Sequence, residues 1–164
     1  MSDRTPAKIN IGGKIREADL PKLIRAIGFD GAGFEWGERT NIDPNAVNLK
    51  EQVEVLVKKG SLDVLDTQAT RGEFPEIERV CQELKLDFTR YSDAGDEYEA
   101  EVIDYRKGWK FPRFSDSNND GEKNVSNSTA KRILSLIQKK KFALAEKKLL
   151  KAISIIPLRA FKIV

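Results

Sequence analysis

Residues 61–105 read SLDVLDTQATRGEFPEIERVCQELKLDFTRYSDAGDEYEAEVIDY, and the fold is decided here. Ser61 to Ala69 carries Leu62, Val64 and Leu65 in a short run that predicts a strand. From Glu73 to Lys85, Phe74, Ile77, Val80, Cys81 and Leu84 return at three- and four-residue steps, the spacing of one helix face. Asp87 to Ser92 and Tyr98 to Tyr105 predict two more strands, joined by the turn Asp93-Ala94-Gly95-Asp96. In the second of them Tyr98, Ala100 and Val102 face one way, and Glu97, Glu99 and Glu101 the other. Strand, helix and hairpin in that order predict an α+β class, a small sheet with packed helices.

Upstream, Ala7 to Ile11 alternates apolar and polar residues up to Gly12-Gly13, a strand ending in a turn. Asp19-Leu20-Pro21 opens a helix whose face is Leu20, Leu23, Ile24 and Ile27, with Gly28 placed to end it. Asp43-Pro44 opens a second, with Val47, Leu49, Val53, Leu56 and Val57 as its apolar side and Gly60 as its close. Downstream, Ser115 to Ser128 is polar and turn-prone, which marks a loop or linker. Thr129 to Gln138 and Phe142 to Ser154 predict two helices around Lys139-Lys140-Lys141, with Ser128 or Thr129 capping the first. The expected organisation is an acidic α+β domain over 1–114, a polar loop over 115–128 and a basic helical hairpin over 129–164.

The net charge of +3 conceals a division along the chain. Residues 60–105 hold four Lys/Arg against thirteen Asp/Glu, whereas 122–164 hold eleven against two. Such asymmetry points to a charged partner. With no histidine, every Ser-His or Cys-His catalytic arrangement is excluded. The one cysteine, Cys81, forms no internal disulfide and falls on an apolar helix face, so it reads as a small buried side chain in a reducing, cytoplasmic setting. No apolar run reaches the ~20 residues a bilayer-spanning helix needs, and no apolar signal segment follows Met1, so no membrane association is expected.

Three surfaces are candidates for function. Arg106, Lys107, Trp109, Lys110, Phe111 and Arg113 interleave cations with rings, the chemistry of single-stranded nucleic-acid binding, where bases stack and phosphates pair. Lys139, Lys140, Lys141, Lys147 and Lys148, with Lys151, extend the basic surface along the hairpin, opposite Phe142, Ala145, Leu149 and Ala152. Asp93, Asp96, Glu97, Glu99 and Glu101 form an acidic face able to imitate DNA phosphates in a partner's basic groove. Glu97, Glu99, Glu101 and Asp104, with Asp63, Asp66 and Glu73, are the carboxylates available to a metal-dependent nuclease. Asp116 to Gly121 matches the first half of a calcium loop, but Asn127 stands at the twelfth position in place of the bidentate Glu and Lys123 occupies the eighth, so neither metal nor cofactor is expected.

Phe142, Ala145, Leu149, Ala152 and the closing Pro157 resemble the second helix of a tetratricopeptide repeat. The resemblance covers residues 129–157 and departs at Ile133 and Lys140, where that family favours a small residue and Gly. It implies two closely packed antiparallel helices. Asp66-Thr67-Gln68-Ala69, Gly72-Glu73-Phe74, Arg90-Tyr91-Ser92-Asp93 and Glu97-Tyr98-Glu99-Ala100-Glu101 resemble uncharacterised small proteins of bacterial mobile elements, which implies an accessory role and no catalytic residues. The function expected from these residues is a non-enzymatic accessory or inhibitory protein acting on a protein or nucleoprotein partner. Single-stranded nucleic-acid binding and a carboxylate-metal nuclease are the alternatives.

Overall fold

Alternation in the first strand sets the layout. In β1 (Arg4–Gly12), Ala7, Ile9 and Ile11 are buried on one side, while Lys8 and Asn10 emerge on the other. β1 is central, pairing antiparallel with β4 (Ser61–Thr70) and with β5 (Asp87–Ser92). β6 (Glu101–Tyr105) and β7 (Arg113–Asp116) extend the sheet beyond β5, and β3 (Val57–Lys58) lies outside β4. The computed structural model describes residues 3–95, 99–154 and 156–164. It is an α+β fold, a six-stranded antiparallel sheet in the order β3-β4-β1-β5-β6-β7.

Helices α1 (Leu20–Phe29) and α3 (Pro75–Glu83) pack on one another and close the apolar face. Ile9, Ile11, Leu62, Val64 and Phe88 meet Leu23, Ile24, Ile27, Ile77 and Val80 there, all essentially without exposure. Burying each such side chain contributes about 1.5–3 kcal/mol. Cys81 is wholly enclosed, and burial, with a smaller push from the Glu78 charge, raises its thiol far above the ordinary range. Phe74 gives α3 no side-chain cap. Asp30, just past α1, supplies it from a distance: its carboxylate accepts from the amides of Glu76 (3.3 Å) and Ile77 (2.9 Å).

Two elements differ from the sequence reading. The second helix shrinks to α2 (Leu49–Glu54), and Val57 leaves it to pair with Leu62. Lys59 and Gly60 both take positive φ, at 49° and 81°, the two-residue hairpin turn that matches strand twist. Gly60 therefore turns a hairpin instead of ending a helix, and Val47 and Val55 are left exposed. Residues 115–128 also hold structure: β7 runs to Asp116, and Ser117 bridges to Lys123.

α4 (Asn127–Gln138) and α5 (Phe142–Ile153) follow, with Ser126 as the N-cap, accepting from the Thr129 amide at 3.2 Å. The residues after Pro157, expected within the hairpin, return to the sheet domain. β8 (Lys162–Ile163) pairs parallel with β2 (Lys14–Ile15), and Phe161 is buried in the main core. Gly12 permits this approach, since a Cβ there would stand 2.1 Å from the Arg159 carbonyl oxygen. Asp87 anchors the return by accepting from Arg159 Nε (2.8 Å), Nη2 (2.7 Å) and backbone amide (3.1 Å).

Burial raises the Asp87 carboxyl, but the Arg159 guanidinium and the amides of Lys107 and Arg159 outweigh it and hold the group below its ordinary value. A carboxylate held low in the folded state stabilises above its unfolded pKa, and that contribution fades as pH falls through the folded value. Arg159→Ala should therefore cost about 1–3 kcal/mol near neutrality. The deficit should shrink in urea titrations carried to progressively more acid pH, as Asp87 protonates below the ordinary aspartate range.

Candidate functional site

The basic-aromatic segment divides between the interior and the surface. Arg106 is buried, and its Nη1 donates to the carbonyls of Phe88 (2.6 Å) and Tyr105 (2.8 Å). Its Nη2 donates to Thr89 Oγ1 (2.9 Å), Asp104 Oδ1 (3.1 Å) and the Ile156 carbonyl, and its Nε to the Pro157 carbonyl (3.1 Å). No donor is left for a phosphate. Trp109 is half-buried, with the Arg113 guanidinium 3.8 Å from its ring centroid and Arg106 at 6.0 Å. Phe111 and Phe114 stay exposed, with the Lys110 ammonium 5.3 Å from the Phe111 ring, while Lys107 is exposed and binds Asp87 through its amide.

The acidic residues do not share one face. Glu101 is 2.6 Å from Arg90, a buried side chain that also meets Glu78 at 2.7 Å. Glu99 is exposed, Asp93 lines a groove on the other side of the sheet, and Asp96 and Glu97 lie outside the described residues. The carboxylates considered for a nuclease are likewise dispersed. Asp104 is held by Arg106 (3.1 Å) and Lys123 (2.6 Å), and Asp63 by Lys8 (3.5 Å) and Asn10. Among the described residues no three His, Cys, Asp or Glu side chains gather to hold a metal.

The groove itself was not singled out from the sequence. It covers about 840 Å³ on the open face of the sheet, with Lys8, Asn10, Thr89, Tyr91, Val102 and Asp104 as its floor. Residues 119–123, with Ile153, Ile156, Pro157, Leu158 and Trp36, form its walls. Gly121 packs so closely on the Tyr91 ring that a Cβ would stand 2.8 Å away, and its φ of +76° suits glycine. Burial, then the Asp104 charge, raises the Tyr91 hydroxyl above its ordinary value. The two-residue spacing that puts Lys8 with Asn10, and Thr89 with Tyr91, on one face of the sheet was the available signal.

The hairpin is the least self-sufficient part of the molecule. Of its two helices only Ile133 and Ala145 are buried, and these define the seam. Phe142 and Leu149, which the sequence placed opposite the lysines, are 61% and 40% exposed. At about 100° per residue, rotation in one sense from Ile133 passes Ile137, Ala130 and Leu134. The same rotation from Ala145 passes Leu149, Phe142, Ile153 and Leu150. Because helices joined by a short turn run antiparallel, equal rotation from the seam leads to the same flank of the pair. Leu134, Ile137, Phe142, Leu149, Leu150 and Ile153, all exposed, thus form one apolar flank. Opposite rotation reaches Arg132 on α4 and Lys148, Leu144 and Lys151 on α5, which form a basic flank. Lys139, Lys140 and Lys141 occupy the turn, and Lys147 lies at the back, all exposed.

Comparison with protein-family models, curated proteins and solved structures gave no match. The resemblances to a tetratricopeptide repeat and to mobile-element proteins therefore stand on the residues quoted for them.

Seam and flank predict opposite mutational responses. Leu150→Glu should change the unfolding free energy by no more than about 0.5 kcal/mol, as an exposed substitution does. Ala145→Phe should force the helices apart at a cost of about 1–3 kcal/mol. Amide exchange in α5 should rise for the second variant and not for the first.

Proposed function

We propose that this protein is a non-enzymatic interaction protein whose working surface is the apolar flank of the α4–α5 hairpin. The observation that supports this reading is the exposure of six large apolar side chains on one side of a helix pair that buries only two residues. Contiguous exposed apolar surface of this kind marks association sites. A paired-helix unit normally covers that surface by stacking on further helices. Within the chain the hairpin is tethered at both ends but uncovered along its length, so the covering element comes from another protein chain. The basic flank and the lysine turn favour an acidic neighbour and accelerate encounter with it.

The test is affinity capture with two baits, the intact protein and Leu150→Glu. Proteins retained by the first and lost by the second support the reading. The same set on both baits overturns it.

A second reading retains nucleic acid as the partner, because Phe111 and Phe114 remain exposed beside Lys110 and Arg113. Two free rings with adjacent cations suit a single strand, where stacking contributes about 1–3 kcal/mol per base. On this reading Phe111→Ala weakens binding of a single-stranded oligonucleotide without changing its salt dependence, because stacking releases few counterions. Lys110→Ala lowers the slope of log affinity against log salt by about 0.7. Absence of binding at about 50 mM salt, where electrostatic association is strong, ends this alternative.

A further inference from the structure

We propose that the chain covering the hairpin flank is a second copy of this protein, laid antiparallel across a two-fold axis so that each lysine turn reaches the other copy's acidic turn. The inference rests on reading the flank as an interface and adds the identity of its occupant.

Three observations converge on it. The first is the position of charge around the flank. Lys139, Lys140 and Lys141 lie beyond one end of the helix pair, exposed and engaged in no ion pair among the described residues. At the opposite end, Asp116, Asp120 and Glu122 are exposed and equally without a cation among the described residues.

The second is the side on which the acidic turn lies. Ile153, the last residue of the apolar flank, lines the sheet groove together with residues 119–123. Lys123 Nζ reaches the Ser154 carbonyl at 3.4 Å, which pins that turn to the end of α5. The apolar flank therefore runs directly into the acidic turn. A helix laid along the flank brings its far end to Asp120 and Glu122.

The third is length. Each helix has 12 residues, about 18 Å at 1.5 Å per residue. Two hairpins of equal length, stacked flank to flank with their turns at opposite ends, overlap completely and bring both charge junctions into register. A two-fold operation generates both junctions at once, as self-complementary interfaces do. The basic flanks point away from each other in this arrangement, so their like charges do not oppose it. Glu146 is the one charged residue within the apolar arc and lies near the middle of α5. Two copies bring these carboxylates toward each other across the axis, which weakens the pair and leaves it concentration-dependent.

Sedimentation equilibrium of the full chain tests the arrangement. The protein should be dimeric at about 100 μM in low salt and dissociate on dilution, a micromolar association in keeping with a small interface. Leu150→Glu should be monomeric, and Glu146→Gln should dissociate several-fold less readily. Lys139→Glu with Lys141→Glu should weaken the dimer about tenfold, and so should Asp120→Lys with Glu122→Lys. An equimolar mixture of those two charge-reversed proteins should form a heterodimer of near wild-type strength, since each junction again joins opposite charges. Circular dichroism of each variant guards against unfolding, and recovery on mixing is an outcome that misfolded protein does not give.

A monomer throughout that range overturns the second copy as occupant. The reading of the flank as an interface survives that result if the Leu150→Glu bait still loses a heterologous protein, and falls with it if the two baits behave alike. A dimer indifferent to Leu150→Glu, or charge-reversed proteins that do not recover on mixing, overturns the proposed geometry.

Discussion

Arg106 carries a full positive charge into a site almost closed to water, and the molecule is arranged around keeping that charge satisfied. An unpaired guanidinium there would cost several kcal/mol, so its fixed fork of donors has to find acceptors. Those acceptors come from β5, β6 and the segment just after α5: Phe88, Thr89, Asp104, Tyr105, Ile156 and Pro157. Asp104 in turn draws in Lys123, whose ammonium also contacts the Ser154 carbonyl at the end of α5. One buried charge thus ties the sheet to the chain on both sides of the hairpin. Asp87 repeats the device a few residues away, where Arg159 fixes the returning terminus. The exposed apolar helices are accordingly held at a defined place on the sheet.

That dependence explains which features were legible in the sequence. Alternation and helical spacing report on side chains that sort between water and core, and they located β1, β5, α1 and α3 well. Val57 misled because an apolar residue at helical spacing from Val53 serves equally well as a strand partner for Leu62. The choice was made by the turn at Lys59 and Gly60. Arg106 misled for a deeper reason. A cation beside a tryptophan has the same composition whether it faces solvent or six internal carbonyl and side-chain acceptors, and those acceptors lie up to 51 residues away. Asp30 capping α3 and Arg159 meeting Asp87 are equally non-local, at separations of 47 and 72 residues. No window of local pattern contains both partners.

The hairpin was legible in the sequence, but what covers its apolar surface was not, again for a physical reason. Its apolar residues repeat at helical spacing, which normally means that they are covered. Periodicity records only that a face is apolar, and says nothing about which chain covers it. In α1 and α3 the sheet performs that role, so spacing and burial agree. In α4 and α5 the pair has only itself, and two 12-residue helices in contact along one seam leave most of their apolar surface in water.

The division of charge along the chain acquires a spatial meaning once the fold is known. Part of the acidic middle is consumed internally: Asp87, Asp104, Glu78 and Glu101 lie against Arg159, Arg106, Lys123 and Arg90. These carboxylates lower the cost of burying arginine and leave little field outside. The basic end of the sequence behaves differently, because Lys139, Lys140, Lys141, Lys147 and Lys151 are exposed and Glu146 is the only acid on the two helices. Its charge is therefore available to another molecule, and it borders the same surface that exposes Leu134, Ile137, Phe142, Leu149, Leu150 and Ile153. Electrostatic attraction acts over about 8 Å in physiological salt, whereas apolar contact acts only on touching. A surface combining the two can collect a partner from a distance and then retain it.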